Sequence, residues 1–235
     1  MVDSLLKHGL FDEIVYYGDT ARVPYGTKDS NTIIRYGLEA VEFFNNFDID
    51  MLITACNTVS AHALPQMREK SGYDVYGVIA PGIRALTQKV PERDSRILIL
   101  GTRATIASGR YQQELRDEGY GNIEAIQTGM FVPVVEEGIF EGEVLEAMME
   151  HYFCGIETEP DAVILGCTHF PLISESIRSY FGGRPLMIHS GESIVDYLKD
   201  RGIEPGGRDT VLKIFASDNV DGLRSIAQKW LGRSS

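Results

Sequence analysis

The 235-residue chain is poor in cysteine: it has three, set far apart, with no Cys-x-x-Cys pair. An odd, scattered set argues against both a disulfide framework and a zinc ribbon, and leaves free thiols. Long apolar runs are missing too. The longest, such as Ala162 to Leu165, have strand length, and no basic start leads into an apolar stretch, so the expected location is the cytoplasm, with no membrane contact. Basic residues are scarce, 22 against 34 acidic, for a net charge of −12. That balance disfavours a broad face for nucleic-acid phosphates and points to a small-molecule substrate. An anionic ligand could still be held locally by N–H groups at helix N-termini. Neither a glycine-rich phosphate loop nor the Schiff-base lysine and phosphate cup of a pyridoxal phosphate enzyme can be identified, so no cofactor is expected.

What is present is an ordinary globular composition, 43% apolar and 24% charged, with no low-complexity segment. Short β-rich runs alternate with amphipathic stretches, the pattern of a parallel sheet with crossover helices. Glu13–Tyr17 reads as a strand, followed by a polar loop from Asp19 to Asp29 with a Pro24-Tyr25-Gly26 turn. A helix is expected over 32–44, then strands at 51–54, 75–79, 97–100, 123–127 and 162–165. Ala80 and Pro81 mark a crossing between two halves, and Ser190 and Gly191 a return. The expected fold class is α/β: two similar doubly wound parallel-sheet domains related by a pseudo-twofold axis, residues 1–79 plus 192–235 and residues 80–191, with a cleft between them. Near the C-terminus Leu223, Ile226, Ala227, Trp230 and Leu231 share one helical face, which suits either core packing or a dimer contact.

Two segments repeat. Asp50 to Cys56 and Asp161 to Cys167 each place an Asp before an apolar strand, a small residue at the turn, and a Cys at the strand's carboxyl end with a Thr close behind. Ligands of open α/β sheets bind at that end. Duplicate halves facing each other would set the two thiols on opposite sides of one cleft. The second half also supplies a strand, Arg96 to Leu100, then Gly101 and Thr102, 65 residues before Cys167. Counting the same distance back from Cys56 falls before Met1, so the first half is expected to lack its opening strand. The chain instead starts on a helix fragment, Ser4 to Lys7, closed by Gly9.

Taken alone, Cys56 suits a small buried hydrophobe as well as a reagent. Asn57, Thr58 and Ser60 behind it can cap a helix and aim donors at a ligand, and a helix N-terminus lowers a thiol pKa. Cys167 shares its turn with Thr168, His169, Phe170 and Pro171. There His169 is either an ordinary capping or surface histidine or a group that assists proton transfer or orients a substrate carboxylate. Zinc would need four ligands, and Cys154 reads as a helix-end core residue beside Tyr152 and Phe153, so no metal site is expected.

The runs Ala55-Cys56-Asn57-Thr58, Gly166-Cys167-Thr168-His169-Phe170-Pro171-Leu172 and Gly18 to Thr27 closely resemble the glutamate racemases, in the same order, over essentially the whole chain. The wording of 11–17 and 28–44 resembles the ε-proteobacterial branch. The resemblance implies cofactor-independent, two-base interconversion of L- and D-glutamate for peptidoglycan synthesis, in a homodimer. It assigns Cys56 and Cys167 as the acid/base pair. It places Pro24, Tyr25, Gly26, Asn57, Thr58, Thr168 and His169 on the substrate, with Thr102 a further ligand candidate. Glu136 would support His169, although a solvated helix charge in the Glu136-Glu137 pair explains it equally well. Inversion needs a one-proton group on each face of a planar carbanion, and cysteine, with a free pKa of about 8.5, can serve as either. The family's opening strand ends in Asp-Ser-Gly; Asp3 and Ser4 imitate two letters of it, but their place within a helix makes the match accidental. That departure keeps a second possibility open: a non-catalytic relative that binds an amino acid or a protein partner such as DNA gyrase.

Overall fold

Parallel strands and helices alternate along the chain, as the apolar periodicity requires. In the computed structural model, which describes residues 1–206 and 210–231, the strands are Glu13–Gly18 (β1), Met51–Ile53 (β2), Asp74–Tyr76 (β3), Ile97–Gly101 (β4), Ile123–Gln127 (β5), Ala162–Gly166 (β6), Leu186–His189 (β7) and Val211–Ala216 (β8). The helices of the first part are Val2–His8 (α1), Ser30–Phe44 (α2), Asn57–His62 (α3), Leu64–Lys70 (α4) and Ile79–Lys89 (α5). They are followed by Arg103–Ala107 (α6), Arg110–Asp117 (α7), Phe131–Glu136 (α8), Glu143–Phe153 (α9), Ser174–Tyr180 (α10), Ser190–Lys199 (α11) and Val220–Leu231 (α12), with 3-10 turns at Tyr25–Thr27 and Phe170–Ile173.

The second half builds one parallel sheet in the order β5-β4-β6-β7. Every residue of β4 and β6 is buried, as strands covered on both faces must be. Leu98, Leu100, Val163 and Leu165 face a core with Phe131, Phe153 and Phe170, while Ile97, Ile99 and Ile164 face another with Leu86, Tyr111 and Tyr120. The two strands are in register, Gly101 beside Gly166, so Thr102 and Cys167 leave the sheet side by side. A Cβ on Gly166 would sit 2.7 Å from the Leu100 carbonyl oxygen. Gly166→Ala is therefore expected to cost about 1–3 kcal/mol, visible as a lowered thermal midpoint; an unchanged midpoint would contradict this close approach.

The first half is divided differently. Among the described residues β1 pairs with β8 and β2 with β3, as two separate parallel ribbons. Both nevertheless lie in one layer. Ile14, Met51, Ile53 and Tyr76 turn to a core with Leu5, Ile194 and Leu198, whereas Val15, Tyr17, Leu52 and Val75 turn to a core with Ile33, Val41, Ala63 and Met67. In the second half β4 lies between β5 and β6, whereas among the described residues no strand joins β1 to β2.

The helix limits follow local chemistry. Asp29 caps α2, its side chain accepting from the Thr32 N–H at 3.0 Å, and Ile33, Gly37, Val41 and Phe44 form its buried face. Gly9, at φ 56°, closes α1, in which Asp3 pairs with Lys7 at 2.6 Å, so Asp3 and Ser4 are indeed helical. Two expectations need correction. The strand expected over 75–79 ends at Tyr76, because Ile79, Ile83 and Leu86 have helical spacing and bury the inner face of α5, whose first turn holds Ala80 and Pro81. Cys154 is exposed at the end of α9, since Phe153 takes the inward position. In α12, Leu223 packs over Gly18. The side chains of Ile226, Trp230 and Leu231 lie outside the described residues, and with them the apolar face and dimer contact expected there.

Candidate active site

The strand β2 ends one residue before Thr54, whose N–H donates to the Tyr76 carbonyl at 2.8 Å. Cys56 then adopts extended backbone (φ −80°, ψ 122°) and stands at the N-cap of α3. The turn is braced from inside. Ser60 Oγ is 2.7 Å from Thr54 Oγ1, donates to the Cys56 carbonyl at 2.9 Å, and is 3.2 Å from the Val78 nitrogen. Cys56 is half-buried by exposed area yet densely surrounded by protein. Burial pushes its thiol pKa up; the amides of Val59 and Thr58 and the Thr58 hydroxyl oppose that by favouring the thiolate.

Cys167 leaves β6 in the matching position and is buried. Burial raises its thiol to about 12, helped by the charges of Cys56 and Glu136 and opposed by the His169 and Thr168 amides. Its Sγ lies 3.7 Å from His169 Nδ1, and His169 Nε2 lies 3.2 Å from Glu136 Oε1. An ionised carboxylate can only accept, so Glu136 fixes the tautomer with hydrogen on Nε2 and leaves the Nδ1 lone pair turned to the thiol. Burial lowers the His169 pKa, and Glu136 partly restores it. Burial thus favours the neutral imidazole, the form that can accept a proton from sulfur.

The Thr58 hydroxyl, two residues beyond Cys56, lies 3.0 Å from that of Thr102, which leaves the sheet beside Cys167, so the two cysteine turns are brought together. Several of the substrate candidates touch one another. Thr58, Thr102 and Thr105 hydroxyls make a buried triangle with 3.0 Å sides, joining α3 to the start of α6. Thr102 caps α6 at the same time. Gly26 is pressed against Thr102, where any Cβ would collide with that side chain. Tyr25 is half-buried and donates its hydroxyl to Asp19, which also accepts from Arg22 Nε at 2.7 Å and Ser217 Oγ at 2.8 Å. Burial opposes ionisation of Asp19, but these three donors outweigh it and hold the carboxyl below its ordinary range. Pro24 and Thr168 are exposed, and Asn57 is buried.

Sequence reasoning missed Asp19 as a brace, Thr105, and Tyr111, whose buried hydroxyl donates to Asn57 Oδ1 at 2.6 Å. Asp19 stood within the quoted loop and Thr105 one turn beyond Thr102, but Tyr111 carries no local signal. A cavity of about 80 Å³ lies elsewhere on the seam between the halves, lined by Ser60, Arg68, Tyr76, Arg110, Glu114 and Tyr197. Among the described residues no three His, Cys, Asp or Glu side chains gather as metal ligands, and no helix is long and apolar enough to cross a membrane.

Comparison with known proteins places this geometry. The Asp/Glu/Hydantoin racemase family profile matches residues 3–198. A glutamate racemase of a Nitratiruptor species is 58% identical over 98% of this chain and 91% of its own length. The crystal structure of glutamate racemase from Campylobacter jejuni superposes with a TM-score of 0.97 at 51% identity, over 100% of this chain and 94% of that one. Glutamate racemase from Francisella tularensis in complex with D-glutamate gives a TM-score of 0.86 at 26% identity, over 99% and 89% of the two chains. The profile spans residues 3–198 and the relatives match nearly the whole chain in sequence and fold, so the chain belongs to the Asp/Glu/Hydantoin racemase family.

Proposed function

We propose that this chain interconverts L- and D-glutamate in the cleft between Cys56 and Cys167, by proton transfer at Cα without a cofactor, and so supplies D-glutamate for peptidoglycan synthesis. The observation that carries the proposal is the placement of the two cysteines just past the ends of β2 and β6, on turns joined by the 3.0 Å contact between the Thr58 and Thr102 hydroxyls. The D-glutamate complex of the Francisella relative and the glutamate racemase identity of the other relatives supply the substrate. The two halves are 1–79 with 192–235, and 80–191.

In one direction the Cys167 proton passes to His169 Nδ1, and Glu136 stabilises the resulting imidazolium. The Cys167 thiolate then takes hydrogen from Cα, forming S–H, while the electron pair is left on the substrate's carbanion. The Cys56 S–H delivers its proton to the opposite face and becomes the thiolate, so one proton enters Cα as one leaves; release of the His169 proton to solvent and uptake of one by Cys56 then restore the neutral enzyme. In the reverse direction the sulfurs exchange roles, with the amides of Thr58 and Val59 favouring the Cys56 thiolate. Thr58, Thr102 and the Tyr25-Gly26 loop wall the substrate in, and Pro24 and Thr168 stand at its rim.

The competent resting form is neutral throughout: two thiols and an uncharged imidazole. Burial favours each neutral form, lowering the His169 pKa below its usual 6.5 and raising both thiols. The plot of kcat/KM against pH should accordingly be a broad bell. Its acid limb falls below pH ~6.5, as His169 takes up a proton, and its alkaline limb lies above the free-thiol value of ~8.5. Initial rates with either glutamate enantiomer from pH 5 to 10, followed by circular dichroism, test this; a single rising limb near 8.5 would contradict it, and absence of turnover would remove the proposed function.

A further inference from the structure

Tyr111 stands at the start of α7 in the second half, yet its hydroxyl crosses the seam to Asn57, the residue next to Cys56. It is 1% exposed and Asn57 is 2% exposed. Its ring also lines Gly166, where a Cβ would be 3.3 Å from Tyr111 Cε2, immediately before Cys167. One side chain thus touches both cysteine turns.

The Asn57 amide is left half used. Its oxygen accepts from Tyr111, while its Nδ2 is buried without a hydrogen-bond partner. Buried donors seldom go unpaired in native proteins, so an orphan beside a catalytic turn calls for a ligand. The NH2 group can only donate, which restricts that ligand atom to an acceptor. In glutamate the ammonium is excluded and a carboxylate oxygen fits.

We propose that Tyr111 is a positioning residue: by holding the Asn57 oxygen from across the seam, it fixes the amide with Nδ2 free to donate to a substrate carboxylate. Without the hydroxyl the amide can turn over and present its oxygen to the carboxylate, weakening binding in ground and transition states alike. The inference rests on the glutamate site proposed above.

The test is steady-state kinetics of the whole chain carrying Tyr111→Phe, which keeps the ring. KM for both enantiomers should rise about tenfold, the loss of a hydrogen bond to a charged group, with kcat changed less than about threefold. Adding Tyr111→Phe to Asn57→Ala should change nothing further; additive losses would show that Tyr111 acts by packing and overturn the proposal. Asn57→Asp gives an independent check should the tyrosine variant not fold. It leaves Tyr111 an acceptor but removes the NH2, so its KM must rise at least as much, and wild-type affinity would overturn the assignment. A wild-type chain that does not racemise glutamate overturns this inference together with the proposed function, whereas wild-type turnover with an unchanged KM in Tyr111→Phe overturns this inference alone.

Discussion

Replacing either Cys56 or Cys167 with alanine is expected to lower kcat for racemisation by at least about 10³-fold, in the upper part of the range for a positioned proton-transfer group. In the proposed mechanism each sulfur serves its own face of Cα, and neither can do the other's work. The double variant should be scarcely worse than either single one, because the two act as a unit in every turnover. Alanine at these sites removes one small buried atom from a braced turn, so the variants should fold, which circular dichroism can verify. Cys154 provides the internal control. It is exposed at the end of α9, and Cys154→Ala should leave kcat and KM unchanged. Retention of more than about a tenth of wild-type kcat by either active-site variant would be incompatible with a two-base mechanism.

The second large effect is expected at His169. His169→Asn removes the acceptor 3.7 Å from Cys167 Sγ, leaving a thiol raised to about 12 with nowhere to send its proton. We expect kcat near pH 7 to fall about 10²-fold. The loss should be pH-dependent in a definite sense. Solvent hydroxide must now form the thiolate, so the rate should climb by up to about tenfold per pH unit between 8 and 10, where wild type is flat or falling. Glu136→Gln should be milder, about tenfold, since Glu136 is half-exposed and its charge is partly screened. It removes the group that raises the His169 pKa, so the acid limb should move to still lower pH. A His169→Asn variant with the wild-type pH profile would show that the imidazole serves only to shape the turn.

The sequence revealed the features written in local chemistry. β4 and β6 were legible as uninterrupted apolar runs, α2 as a stretch of apolar residues at helical spacing, and the two cysteine turns as a repeat of an Asp, a strand and a thiol. The Glu136–His169 pair, half expected as an idle surface charge, is in hydrogen-bonding reach because α8 ends beside the 3-10 turn at Phe170. What stayed hidden depends on residues brought together from a distance. Ser217 reaches Asp19 across 198 residues because β8 returns to pair with β1, and Tyr111 meets Asn57 across 54 because α7 crosses the seam. Neither contact has a periodicity to betray it. The end of β3 was misplaced for a related reason: Val78 and Ile79 are as apolar as strand residues, and only the spacing of Ile83 and Leu86 further on assigns them to a helix.

Two thiols acting on opposite faces make a specific isotopic demand. L-Glutamate incubated with the protein in D2O and stopped at low conversion should yield D-glutamate with one solvent deuterium at Cα, while the L-glutamate recovered from the same mixture remains protiated. Proton NMR after separation of the enantiomers reads both. If deuterium enters recovered L-glutamate as fast as D-glutamate forms, or if the product keeps the original hydrogen, a single group is moving the proton and the opposed cysteines are not the machinery of inversion.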